Sequence, residues 1–339
     1  MNNFYKYIFY TSMMMGSLIS ISSSSWITAW MGLELNLMSI LPLMKNIKYK
    51  NSSESTIKYF IVQAIASTLM LFSIIMMTNL ENFSFSYYFM SNLNMITTSA
   101  LLMKMGAAPF HFWIPEVTIG ISWKMVYIIL TWQKLAPMIL IINTINNNII
   151  FLSIIIILSS MMGSILGMNQ TYLKKLMAYS SINHIGWMLS SLLCSYSTWL
   201  IYYIIYCIMN TNIIILFNKY NMNSIYQMMN FLTKNKKMKM LFMMNFMSLG
   251  GLPPFIGFLP KWITINCLIN NNYYTITLIL ILFSLISLYF YLRITFSSMM
   301  LYSMESLINL NQPFNFYPMA MNTINIMSMI FYPLIYFSM

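Results

Sequence analysis

Runs of about twenty apolar residues follow one another along almost the whole chain, and a bilayer's hydrocarbon core takes about that many residues of helix to cross. Nothing but helices or a closed barrel can satisfy backbone N–H and C=O groups there, and runs this long read as helices. The expected spans are 4–22, 26–44, 58–79, 91–120, 122–144, 149–168, 173–194, 197–218, 239–270, 273–296 and 319–338. The fold class is therefore an all-α polytopic membrane protein of about eleven transmembrane helices. Only 6% of the 339 residues are charged, against about 25% in soluble domains.

Two of the runs, 91–120 and 239–270, are too long for one straight span: about 45 Å of helix against a core of about 30 Å. Both carry helix breakers. The first contains LLMKMGAAPFHFWIPE at 101–116, with Gly106, Pro109 and Pro115. The second contains SLGGLPPFIGFLPKW at 248–262, with Gly250, Gly251, Pro253, Pro254, Gly257 and Pro260. Broken backbone at membrane depth is tolerated only where it is buried in protein or lines a wet cavity. Interrupted segments at matching places in two halves are the mark of a transporter built from repeats. These two runs are expected to be discontinuous helices.

Charge orients the spans. With the N-terminus inside, every one of the 17 basic residues except Lys104, Lys134 and Lys261 falls in an inside segment, and the outside loops receive none. That satisfies the positive-inside rule. The net charge of +12 is thus a topology signal, and nucleic-acid binding is not expected. The inside stretch from Lys219 to Lys239 is where partner contacts are expected. The first apolar run has no A-x-A cleavage site and is expected to stay as a helix.

Glu34 joins the three exceptions, in WITAWMGLELNLMSILPLM. A charge in mid-span costs about 2.5–3.5 kcal/mol on insertion scales, so each is a functional candidate. Glu34 lies too deep to reach a headgroup, and its best partner is Lys104. Lys134, in ILTWQKLAPMIL, is equally central. Lysine suits proton relay because it can surrender its proton when desolvated, which arginine does not. His111, in PFHFW, and His184, in YSSINHIGWM, are possible relay groups, although a lone histidine in an apolar helix is commonly just hydrogen-bonded to a neighbour. Glu54, Glu81, Glu116 and Glu305 lie at loops, where a solvated charge is the default. Cys194, Cys207 and Cys267 have no C-x-x-C spacing and read as buried thiols, so no metal or iron–sulfur ligation is expected. There is no G-x-G-x-x-G and no P-loop, hence no nucleotide or flavin site. The 38 Met, 24 Tyr and 23 Phe, with a single Arg and no Asp, point to AT-rich coding of the kind found in animal mitochondrial genomes.

On WMGLELNLMSILPL, SALLMKMGAAPFHFWIPEV, TWQKLAPM, NQTYLKKLMAYSSINHIGWM and SLGGLPPFIGFLPKW, the chain resembles the antiporter-like membrane subunits of respiratory complex I (NADH–ubiquinone oxidoreductase), in particular the chain 2 group of animal mitochondria. The resemblance covers nearly the whole chain and weakens at 81–90, at 219–240 and after Arg293. It implies two inverted five-helix repeats, 1–145 and 146–300, with a terminal helix region at 301–339 and without the three extra N-terminal helices of bacterial relatives. It implies that Glu34 and Lys104 form an ion pair, that Lys134 is the central relay, and that Lys261 is the terminal lysine facing a neighbouring subunit. It further implies proton translocation driven by quinone reduction elsewhere in the complex. NADH, flavin, iron–sulfur clusters and ubiquinone would serve the complex, and no cofactor this chain. Partners would be other membrane-arm subunits, including neighbouring antiporter-like chains, together with lipids and protons. The location would be the inner mitochondrial membrane, N-terminus on the matrix side and C-terminus on the intermembrane-space side. Two rivals remain: a stand-alone cation/proton antiporter, and a structural spacer between pumping subunits.

Overall fold

The computed structural model describes residues 4–46, 51–81, 87–145, 148–234 and 236–300. The expected terminal helix at 319–338, with Glu305, lies outside the described residues. All the named elements are helices: α1 Phe4–Ser22, α2 Trp26–Met44, α3 Ser52–Glu81, α4 Tyr87–Met105, α5 Trp113–Gly120, α6 Trp123–Leu130, α7 Trp132–Ile142, α8 Ile149–Met168, α9 Leu173–Cys194, α10 Tyr196–Tyr220, α11 Ile225–Lys234, α12 Lys236–Gly250, α13 Phe258–Asn270 and α14 Tyr274–Met300. Among the described residues, six helical stretches are long and apolar enough to cross a membrane: Trp26–Met44, Ser52–Asn79, Trp123–Ile142, Ile149–Met168, Tyr196–Tyr220 and Tyr274–Phe296.

The helices begin and end where local chemistry dictates. Ser25 caps α2 by accepting from Thr28 N–H, and Ser195 caps α10 by accepting from Thr198 N–H, each at 3.3 Å. Asn221 closes α10 in the left-handed conformation at φ 50°, where an asparagine is more at ease than most residues. Hydroxyl groups inside the spans turn back on their own helix: Ser17 to Met14 O, Ser20 to Ser17 O and Ser39 to Asn36 O, at 2.7–2.8 Å. That return bond satisfies a donor without water.

Polarity is turned inside out. Ser17, Ser20, Asn36, Ser39, Thr97 and Thr98 are buried, while Leu18, Leu35, Met38, Ile61 and Phe72 are exposed on outer faces. Lipid tails are as apolar as leucine, so packing and polar contacts, not burial of apolar surface, must join such helices. Gly16 and Gly32 serve that purpose between α1 and α2. A side chain begun on Gly16 would stand 2.9 Å from Gly32 O, and one begun on Gly32 would stand 2.8 Å from Gly16 O. The two backbones touch there.

The chain divides into two compact units, Met1–Ile155 and Ile156–Met339. In the first, α1 packs on α2, α3 on α4 and α5, and α7 on α1 and α4. In the second, α9 packs on α10 and α13, and α14 on α9, α12 and α13. Three details differ from the sequence reading. The 122–144 run is not one straight helix: it breaks at Thr131 (φ −115°, ψ −77°) between α6 and α7. The stretch from Lys219 to Lys239 is not all loop but contains α11, which buries Met228 and packs on α12 and α14. Lys174, assigned to a loop, lies buried in the first turn of α9. There Leu173 N–H bonds Asn223 O and Ile225 N–H bonds Thr171 O, so a returning segment covers that end of the helix.

Candidate functional site

Both long runs break as expected, and in the same way. Helix α4 stops at Met105, and Gly106 takes φ +74°; α12 stops at Gly250, and Gly251 takes φ +79°. In each, the next N–H reaches back across the turn: Ala107 to Leu102 O at 3.0 Å, and Leu252 to Met247 O at 3.3 Å. This is the Schellman closure, which needs a left-handed residue and favours glycine. Aligned on those glycines, GAAPFHFWIPE (106–116) and GLPPFIGFLPK (251–261) stay in step. Pro109 matches Pro254, Phe110 matches Phe255 and Pro115 matches Pro260, and the second half-helix starts seven residues after the glycine in both. Lys261 therefore occupies the place of Glu116, not that of Lys104. The Ala108–Pro109 bond is cis.

A helix stopped inside a membrane leaves orphan carbonyls. Around α4, three of the four have partners. Leu102 O takes the N–H groups of Gly106 and Ala107, Met103 O takes Trp113 Nε1–H at 3.2 Å, and Lys104 O takes Gln63 Nε2–H at 3.1 Å. A side chain on Gly106 would collide with Ile114, so the glycine also lets the chain fold back on the helix end.

Lys104, in that last turn, is 6% exposed and its ammonium has no hydrogen-bond partner among the described residues. It lines a cavity of about 10 Å³ with Asn36, Tyr59, Gln63, Gln133 and Pro137, roughly the room one water needs. The direct ion pair expected with Glu34 is not formed. Lys104 and Glu34 share no salt bridge. Glu34 is only part-buried on α2.

Lys134 is 1% exposed, so its stem does not carry the amine out of this unit. It sits just past the Thr131 break, with its N–H on Thr131 O at 3.0 Å in a tightened turn. Thr131 Oγ1 meanwhile donates to Tyr127 O at 2.7 Å. Pro137, lacking an N–H, withholds the bond that Gln133 O would otherwise receive.

In the second unit, Lys261 is 6% exposed and donates to Gly250 O at 2.9 Å, the last carbonyl of α12. A cation there meets the negative end of the half-helix. The ammonium also stands 5.8 Å from the ring centre of Trp187. His184 Nδ1 shares a 2.9 Å hydrogen bond with Tyr202 Oη, and its ring lies 5.2 Å from that of Tyr206. His111 is buried in the first break, its ring centre 4.3 Å from that of Phe112 and tilted by 30°. At the surface, Lys58 bridges Glu54 at 2.8 Å and Glu116 at 2.9 Å.

Asn36, Gln63 and Gln133 were missed from sequence because neutral amides carry no insertion alarm. The available signal was position: Asn36 lies two residues after Glu34, and Gln133 directly precedes Lys134. Among the described residues, no cluster of His, Cys, Asp or Glu gathers to hold a metal ion.

Comparison with known proteins gives this geometry its setting. A family described as "NADH:quinone oxidoreductase/Mrp antiporter, TM" matches residues 23–287. The NADH-ubiquinone oxidoreductase chain 2 of Anopheles gambiae is 44% identical over 339 residues, covering 98% of this chain and 98% of its own length. That of Locusta migratoria is 42% identical over 309 residues, covering 90% and 88%. The fold matches a chain of respiratory complex I from Thermus thermophilus with bound Aureothin at TM-score 0.85, covering 98% of this chain and 78% of that one at 19% identity. It matches a chain of the Mrp complex from Dietzia sp. DQ12-45-1b at TM-score 0.72, covering 88% and 59% at 13% identity. The solved structures speak to fold; the curated relatives, aligned end to end at this identity, decide kinship, and the chain belongs to the NADH:quinone oxidoreductase/Mrp antiporter transmembrane family, within it to NADH-ubiquinone oxidoreductase chain 2.

Proposed function

We propose that this chain is a membrane-arm subunit of respiratory complex I that takes part in moving protons across the inner mitochondrial membrane. Electron transfer from NADH to ubiquinone elsewhere in the complex supplies the drive, and this chain carries no redox centre. The observation that carries the reading is the burial of Lys104, Lys134 and Lys261 beside broken helices in a fold whose outer faces are apolar.

In this reading protons pass by way of Glu34, Lys104, Lys134 and Lys261, with His111 and His184 as further relay groups. Eleven helices form inverted repeats 1–145 and 146–300 with a terminal helix region at 301–339, and the matched breaks at Gly106 and Gly251 support that repeat. The N-terminus faces the matrix and the C-terminus the intermembrane space. NADH, flavin, iron–sulfur clusters and ubiquinone belong to other parts of the complex. Neighbouring antiporter-like chains and lipids surround this one.

The energies match in scale. One charge crossing the membrane gains or loses about 2.3 kcal/mol per 100 mV. A change of two units in a lysine's proton affinity is about 2.7 kcal/mol. Modest rearrangement around a buried amine, such as a change in the field of Glu34 on Lys104, therefore suffices to load or unload it.

Lys104→Met tests the path, since methionine keeps the stem's bulk and removes the proton carrier. The complex is expected to assemble, with proton pumping and the quinone reduction coupled to it both reduced about tenfold. Native pumping by the assembled variant would remove Lys104 from the path.

A further inference from the structure

Asn36 on α2 and Gln133 on α7 form a closed amide pair. Asn36 Nδ2 donates to Gln133 Oε1 and Gln133 Nε2 donates to Asn36 Oδ1, both at 2.9 Å. Both side chains are buried and both line the Lys104 cavity. Such a ring uses one N–H and one acceptor site of each amide and leaves one of each free. Turning both amides together exchanges oxygen for nitrogen on each residue while keeping both hydrogen bonds. The two arrangements are therefore close in energy and differ in what they show the cavity: where one residue offered a carbonyl, it now offers an N–H.

Lys104 is the group able to choose between them. Its ammonium is a donor only and favours the arrangement that shows it an oxygen; its neutral amine has a lone pair and accepts from an N–H. A ligand that prefers one of two states biases the pair, and a proton on Lys104 is such a ligand. The other end of the pair is fixed to the tightened turn that carries Lys134, because Gln133 is its immediate neighbour, just past the Thr131 break. Resting on the proton path put forward above, we propose that the Asn36–Gln133 amide pair is a two-state positioning element that passes the charge state of Lys104 to Lys134.

The experiment is done in inner-membrane vesicles holding the whole complex, reading protons translocated per NADH oxidised. That ratio does not depend on how much complex assembles. Asn36→Leu with Gln133→Met replaces the pair by apolar groups of similar bulk and leaves neither amide unpaired. The yield is expected to fall at least twofold. Asn36→Gln with Gln133→Asn rebuilds the pair with the residues exchanged and is expected to restore the native yield. If the apolar pair has the native yield, whatever the amount assembled, the amides are structural only and the proposal is overturned. A persistently low yield in the exchanged pair overturns it too, since the ring is then present and inert. Should the apolar double variant leave no assembled complex, Gln133→Met alone is read by the same ratio. Lys104→Met separates the two levels of argument: if it pumps normally, the path itself is wrong, whereas loss of pumping there beside a native apolar pair rejects the amide element alone.

Discussion

The glycine that ends α12 and the one that follows it have unlike duties. A methyl group on Gly250 would meet Leu288 and Tyr291 at 3.6 Å, an ordinary contact. On Gly251 it would sit in a backbone conformation costing about 1–2 kcal/mol for an L-residue, and 3.0 Å from the Lys261 amine. Gly251→Ala is therefore expected to lower both the yield of assembled complex and its protons per NADH, while Gly250→Ala leaves both within about 20% of native. Equal behaviour of the two in vesicle assays would show that neither the left-handed turn nor the lysine beside it matters. At this scale the sequence was informative wherever a charge appeared: Glu34, Lys104, Lys134 and Lys261 stand out by their insertion cost alone. It was silent on Asn36 and Gln133, whose significance lies in facing each other across 97 positions of sequence. It also misjudged Lys174, because a lysine near a span's end looks solvated until the segment folding over it is known.

Among the elements, α1, α2, α8 and α9 begin and end where polar residues bound the apolar runs, as expected from sequence. The two glycine–proline breaks were legible too, since no helix runs through Gly-Ala-Ala-Pro or Gly-Gly-Leu-Pro-Pro. The break at Thr131 was not, because a threonine carries no such mark: a hydroxyl returning to the carbonyl four residues back, as here to Tyr127 O, is common in unbroken helices too. Nor was α11, a short amphipathic helix that takes its order from α12 and α14. The register of the two breaks shows a further asymmetry. At one equivalent place Glu116 faces outward, held by Lys58, and at the other Lys261 faces inward onto a carbonyl. A carboxylate there would repel the half-helix end that the ammonium binds. Lys261→Glu is therefore expected to lose the Gly250 contact and reduce assembled complex at least threefold, whereas Lys261→Arg, still a cation, retains more than half of it; quantitative blotting of native gels gives both values.

For the molecule as a whole, the immediate question is the company it keeps. Native electrophoresis of gently solubilised membranes, with in-gel NADH oxidation and peptide mass spectrometry, is expected to find this chain only in the large NADH-oxidising band. A small band without that activity would favour a free-standing antiporter, and ion exchange in vesicles would follow. The touching backbones of Gly16 and Gly32 bear on how such a molecule is made. Helix pairs that meet through small residues associate by contact within the lipid, and α1 and α2 are the first two helices of the chain described here. Their seam can close as soon as both have left the translocation machinery. Glu34 then enters the bilayer as part of a packed hairpin, and α7, which will bring Gln133 and Lys134, is still about ninety residues from synthesis, some 5–20 seconds at 5–20 residues per second. The close approach at the two glycines thus lets the hairpin pack before α7 exists, with Gln133 and Lys134 added to it afterwards.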